Sequence, residues 1–90
     1  MRVISNKALT ELAMVHRDAD AAWRKIVGTG AFSNYAALRG AFNATDKVGD
    51  FYVFDIGGNK YRLISSIHFN RQMLFVRHVF THKEYDKWKS

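Results

Sequence analysis

Two hydrophobic rhythms divide the chain. In the first part, Leu9, Leu12, Ala13, His16, Trp23, Ile26 and Val27 recur at helical spacing with charged residues between them, which predicts an amphipathic helix or a pair of them. Asp18 or Asp20 could cap a second helix, but the periodicity runs through that junction, so one long helix and a helical hairpin both fit. Gly28-Thr29-Gly30 ends the helical region. Ser33, an N-cap residue type, opens a short third helix through Tyr35 and Leu38 to Gly40. Ahead of the helical stripe, Val3 and Ile4 begin a short edge strand.

From Phe51 the pattern changes to period two and to aromatic and β-branched residues, predicting strands at Phe51–Ile56, 60–69 and 73–80. Gly57-Gly58-Asn59 and Asn70-Arg71-Gln72 supply two tight connections, so the strands form an antiparallel meander. A two-residue second loop, pairing Asn70 with Met73, sets Phe69 against Leu74, Ile67 against Val76 and Leu63 against Phe80. One face is then apolar, with Tyr52 and Phe54 on it. The other gathers Asp55, Lys60, Arg62, Ser66, His68, Arg77 and Thr81, diluted by Phe51, Val53, Ile64, Phe75 and Val79. This assignment depends on register, because a one-residue slip sends Arg77 to the opposite side. The expected architecture is α+β, with N-terminal helices packed on an antiparallel sheet. Thr81-His82-Lys83-Glu84 has the form of a capping box and starts a short terminal helix through Trp88.

Ninety residues predict one domain, spanning residues 1–90, with any active site shallow and open. Lys and Arg number 14 against 8 Asp and Glu, and residues 47–90 hold +4 of the net +6. A basic small domain commonly meets a polyanion, although solubility alone also explains such a charge. Cysteine is absent, which removes disulfides and thiolate metal sites and fits a cytosolic protein. No secretory leader and no 18-residue apolar run is present, so neither export nor membrane spanning is expected.

The basic residues of the second half suit one reaction. Cleavage of RNA by its own 2'-hydroxyl needs a base, a cation for the crowded phosphate oxygens, and an acid for the leaving 5'-oxygen. Arg62, Lys60, His82, Lys83 and Tyr85 could meet these needs with neither metal nor cofactor. Arginine is the natural phosphate clamp, and a histidine can give or take a proton near neutral pH. The plainer alternatives are an Asp55 carboxylate paired with Lys60 or Arg62 on a solvated face, and an exposed His82 without a role. His16 on the apolar stripe reads as structural and His68 as merely exposed. His78 and His82 have a spacing found in zinc pairs but no well-placed third ligand, so no metal site is expected.

Taken together, Phe54-Asp55-Ile56-Gly57-Gly58-Asn59-Lys60-Tyr61-Arg62-Leu63 and Phe80-Thr81-His82-Lys83-Glu84-Tyr85-Asp86 resemble the HigB-type toxins, a branch of the RelE-like messenger-RNA interferases. The opening Arg2-Val3-Ile4-Ser5-Asn6-Lys7-Ala8-Leu9 is similar too. The resemblance implies a toxin that cuts messenger RNA in the decoding site of a translating bacterial ribosome. It also implies a cognate antitoxin, commonly a helix-turn-helix protein of the HigA kind. By motif, it points to Asn59, Arg62, His82 and Tyr85 as catalytic positions, with Lys60 and Lys83 supporting them. Arg77 and Ser66 join Lys83 as expected RNA contacts on the open face. A noncatalytic RNA- or ribosome-binding domain, or a partner-interaction module, would use the same basic surface.

Overall fold

The computed structural model describes residues 1–4, 7–15, 17–57 and 60–89, with only the backbone described for Ala8, Leu12, Ala13, Val15, Asp18, Ala19 and Asp20. The helical stripe divides into α1 (Lys7–Val15) and α2 (Arg17–Thr29), so the hairpin alternative is the correct one. His16 falls outside the described residues, as do the side chains of Leu12 and Ala13. Because α2 already begins at Arg17, Asp18 and Asp20 lie within the helix and neither occupies its cap. α3 (Tyr35–Ala41) is capped one residue later than the sequence suggests: the Asn34 side chain, on extended backbone, accepts the Ala37 N–H at 2.9 Å.

The described residues form five strands: the expected edge strand β1 (Arg2–Ile4), an additional β2 (Thr45–Val48), and the predicted meander of β3 (Phe51–Ile56), β4 (Tyr61–His68) and β5 (Met73–Thr81). They form one sheet in the order β1-β5-β4-β3-β2. The sheet is mixed, because β1 lies parallel to β5 while every other pair is antiparallel. β2 was not apparent in the sequence, being short and carrying exposed Asp46 and Lys47 on a sheet edge, where charge discourages further pairing. It is anchored from α3: the Tyr35 hydroxyl donates to the Thr45 carbonyl at 3.0 Å, and buried Thr45 donates its own hydroxyl to the Phe42 carbonyl at 2.6 Å.

The helical layer and the sheet enclose Leu9, Trp23, Val27, Leu38, Phe54 and Leu63, all fully buried, together with Ile56, Leu74 and Val76. Trp23 and Phe42 both meet Phe54 edge-on, with ring centroids 5.5 and 5.7 Å away. Truncating Phe54 to Ala would therefore cost about 3–5 kcal/mol.

The last hairpin departs from the expected register. His68 pairs with Met73 and Ile67 with Leu74, so the connection is a 3-10 turn, Phe69–Arg71, followed by Gln72, rather than a two-residue loop. Gln72 adopts the left-handed conformation (φ 53), which costs a non-glycine residue about 1 kcal/mol or more. Its side chain offsets that cost: Oε1 accepts the Phe32 N–H at 3.0 Å, while Nε2 donates to the carbonyls of Phe32 and Phe69. Its carbonyl also receives the Arg2 N–H at 2.7 Å, which fastens β1 to the turn.

A second departure changes the open face. Ser65 pairs with Val76 but Ile64 with His78, leaving Arg77 as the extra residue of a β-bulge. Beyond the bulge the parity reverses: Val79 packs toward the helical core, whereas His78 and Phe80 move to the face opposite it. That face is not simply solvated. α4 (His82–Lys89) folds back across it and builds a second, smaller core of Val53, Ile64 and Tyr85, flanked by Val48, Phe51, Phe80 and Trp88. No helix of the described residues is long and apolar enough to span a membrane.

Candidate active site

The capping box forms as the sequence predicts. Glu84 Oε1 accepts the Thr81 N–H at 2.9 Å, and the Glu84 N–H donates back to the Thr81 hydroxyl at 3.3 Å. The Thr81 N–H, and after it the Thr81 side chain, hold the Glu84 carboxyl below its usual range. The two bonds also fix the direction in which the chain leaves β5, and so deliver His82 and Tyr85 to the sheet.

The cross-strand register sets Asp55 opposite Arg62. Asp55 Oδ1 accepts from Arg62 Nε at 2.8 Å, and the two side chains are only 25% and 11% exposed. Arg62 was expected on an open, solvated face; α4 covers it instead, because Tyr85 and Trp88 bring apolar surface that has to be buried. The Asp55 carboxyl is pushed above its ordinary value because burial outweighs the opposing pull of Arg62 and His82, with Asp46 adding repulsion.

From Asp55 a polar chain continues outward. Arg62 Nη2 lies 3.1 Å from His82 Nδ1, and His82 Nε2 lies 3.6 Å from Asp86 Oδ2. Arginine has only donors, so Nδ1 must be the acceptor, and the proton of the neutral imidazole sits on Nε2, facing Asp86. At 3.6 Å that second contact is an ion pair only when the ring is charged. Tyr85 packs beneath the guanidinium, its ring centroid 5.8 Å from the Arg62 central carbon, and Lys89 Nζ approaches the same ring at 5.8 Å. Only 8% of Tyr85 is exposed. Its phenol is raised above the usual tyrosine value, mainly by burial and then by Asp46, against the opposing effect of Arg62. The hydroxyl therefore stays protonated and able to donate across the physiological range.

The structure thus brings together three of the residues singled out in the sequence, Arg62, His82 and Tyr85. Asn59 lies outside the described residues. Lys60 is exposed in the turn before β4 rather than in the strand, its N–H bonded to the Gly57 carbonyl at 3.4 Å. Lys83 is exposed on the first turn of α4. Arg77 and Ser66 sit farther along the same face, where Arg77 Nε donates to Ser66 Oγ at 3.1 Å and the guanidinium carbon stands 5.4 Å from the Phe75 ring. Asp86 was not singled out from sequence, whereas the pairing of Asp55 with Arg62 was one of the two plainer alternatives and is the one the structure shows, on a covered rather than a solvated face. Among the described residues, no group of His, Asp and Glu could hold a metal ion.

Residues 16–88 match the family described as HigB toxin, the RelE-like toxic component of a toxin-antitoxin system. The chain is 33% identical, over 92 aligned positions, to the mRNA interferase toxin HigB of Escherichia coli K12, covering 96% of this chain and 88% of the relative. The mRNA interferase HigB of Shigella flexneri matches to the same extent. A third relative, the mRNA interferase HigB of Escherichia coli O6:H1, is 41% identical over 59 positions, covering 62% of this chain and 57% of its own length.

Proposed function

The chain belongs to the HigB toxin family, and from that premise we propose that it is an endoribonuclease which cuts messenger RNA in the decoding site of the translating bacterial ribosome. The whole chain, residues 1–90, acts as the toxin unit. Its partners are the messenger, the ribosome and an antitoxin of the HigA-like helix-turn-helix kind, and it works in the cytoplasm. The observation that carries this reading is the convergence of Arg62, His82 and Tyr85 at the junction of β4, β5 and α4. A clamp, a proton carrier and a neutral phenol donor are the groups that 2'-hydroxyl attack on a phosphodiester requires.

The chemistry follows from the hydrogen bonds. Asp55 holds Arg62 through Nε, while Nη1 donates to the Tyr61 carbonyl at 3.4 Å and Nη2 faces His82. The Nη edge of the guanidinium is thus turned toward the site and engages the nonbridging phosphate oxygens by exchanging these bonds as the oxygens gain charge. When Arg62 turns its Nη2 from His82 to the phosphate, Nδ1 becomes free to accept a proton. Tyr85, kept protonated by burial, donates to the phosphate or to the leaving oxygen. Cleavage so performed leaves a 2',3'-cyclic phosphate and a 5'-hydroxyl, with no metal in the reaction. Asn59 and Lys60 contribute from the neighbouring turn, while Lys83, Arg77 and Ser66 bind the RNA backbone. The test is inducible expression in bacteria: the wild-type chain arrests growth, and Arg62→Ala, His82→Ala and Tyr85→Phe do not. Continued growth on wild-type induction would contradict the proposal.

A further inference from the structure

The bulge at Arg77 has turned His78 and Phe80 onto the face that carries Arg62. Their rings lie nearly parallel, 12° apart with centroids at 4.9 Å, and Trp88 closes against the pair at 6.4 and 6.1 Å. Phe80 is the cross-strand partner of Arg62, and His78 is the partner of Ile64, so the stack begins beside the guanidinium. His78 itself remains exposed. Beyond it, Arg77 stands over Phe75, and exposed His68 meets the Phe75 ring edge-on at 5.6 Å. From Phe80 to Phe75 the strip spans about 16 Å at the usual rise per strand residue. No acidic residue occurs between Asp55 and Glu84, so β4, β5 and their turn carry cations alone.

We infer that this strip is the substrate track, on which His78 stacks against the base of a nucleotide flanking the scissile phosphate and Arg77 grips the phosphate beyond it. Alternating rings and cations in a line suit single-stranded RNA, because each base offers a π-face and each step of the backbone an anion. Phe80 stacks on the His78 ring and Trp88 leans against it, so little side-chain freedom is lost on binding. The occupant is RNA rather than an acidic protein segment, because the strip starts at the cross-strand partner of Arg62 and so continues the site where the scissile phosphate would lie. Stacking selects for a base of any kind, so His78 governs affinity and position on the message rather than the chemistry at Arg62. This inference extends the proposed nuclease site.

The experiment compares wild type, His78→Ala, His78→Phe and Arg77→Ala in two assays, with melting curves to verify folding. One measures cleavage of messenger on translating ribosomes; the other measures binding of a short fluorescent single-stranded RNA at low salt. Loss of a stacked base partner weakens binding by roughly tenfold or more. His78→Ala is expected to raise KM and Kd by that factor with a far smaller change in kcat, and His78→Phe, which keeps a ring, to restore both. Arg77→Ala should also flatten the salt dependence of RNA binding. If wild type cleaves and His78→Ala retains its KM and Kd, or if His78→Phe is as impaired as His78→Ala, the track is wrong while the nuclease reading stands. His78-dependent RNA binding without cleavage would uphold the track and remove the nuclease. Neither binding nor cleavage by wild type would remove both.

Discussion

Arg62→Ala separates the structural from the chemical work of the site. Exposed ion pairs contribute about 0–1 kcal/mol, and breaking a fully buried one costs about 3–5 kcal/mol. With Asp55 25% exposed and Arg62 11% exposed, this pair falls between those limits, at about 2 kcal/mol. For a domain of this size that lowers Tm by about 8–16 °C. Most of the cost lies in the Asp55 carboxylate left beneath α4 without its partner, so Asp55→Asn combined with Arg62→Ala should recover more than half of the loss. The pH dependence has a definite sign. Asp55 already has a raised pKa in the fold and loses its main compensating charge in the variant. The single variant's deficit is therefore smallest at acid pH and grows as pH rises past the folded-state pKa of Asp55 in wild type, which lies above 3.8. Thermal melts by circular dichroism across that range measure it, and growth arrest on induction reports function. The single variant should be both unstable and inactive, the double variant stable and still inactive. A single variant melting with wild type, or a double variant no more stable than the single, would refute this account of the pair.

Three further outcomes are expected. Tyr85→Phe keeps its ring in the small core and should melt within a few degrees of wild type, yet lose about 100- to 10,000-fold in cleavage rate, as removal of a proton donor does; in wild type, burial raises the Tyr85 phenol, so the stability it contributes is lost only above pH 10, as alkaline melting curves would show. Gln72→Ala gives up side-chain bonds to Phe32 and Phe69 and should cost about 1.5–4 kcal/mol, measured by urea denaturation, while growth arrest survives at reduced temperature because the turn touches none of the site. The first-turn amides of α4 should lose hydrogen-exchange protection as pH falls below 4.5, since the Glu84 carboxyl has a lowered pKa and its cap is present above that value and lost on protonation; protection unchanged at pH 3 would count against the cap.

The periodicity of the chain revealed most of the fold because each rhythm faces a single buried layer. Strand 51–56, the helical hairpin region and the Thr81–Glu84 cap all follow from local chemistry. What stayed hidden was non-local. The β-bulge at Arg77 leaves no signature in a run of residues that all suit a strand, yet it decides which of Val79 and Phe80 faces the helices. Whether the polar face is open depends on where α4 lies, and only Tyr85 and Trp88, apolar on an otherwise charged helix, hinted that it needed a surface to cover. Arg62, His82 and Tyr85 were legible as candidates because the two motifs carry them, and the fold brings these three side chains together. The pairing of Asp55 with Arg62 was among the alternatives the sequence offered; that α4 shields it emerges only once strand pairing and helix packing are combined.

The most direct test of the central claim uses one messenger in two states: engaged in translating ribosomes and free in solution, each incubated with the purified chain. The account predicts cuts within translated codons of the engaged messenger, bearing 2',3'-cyclic phosphate ends, unaffected by chelator once ribosome integrity is controlled, and absent with Tyr85→Phe and His82→Ala. Equal cleavage of the free messenger would contradict ribosome dependence. Intact messenger on ribosomes in the presence of wild-type chain would contradict the claim as a whole.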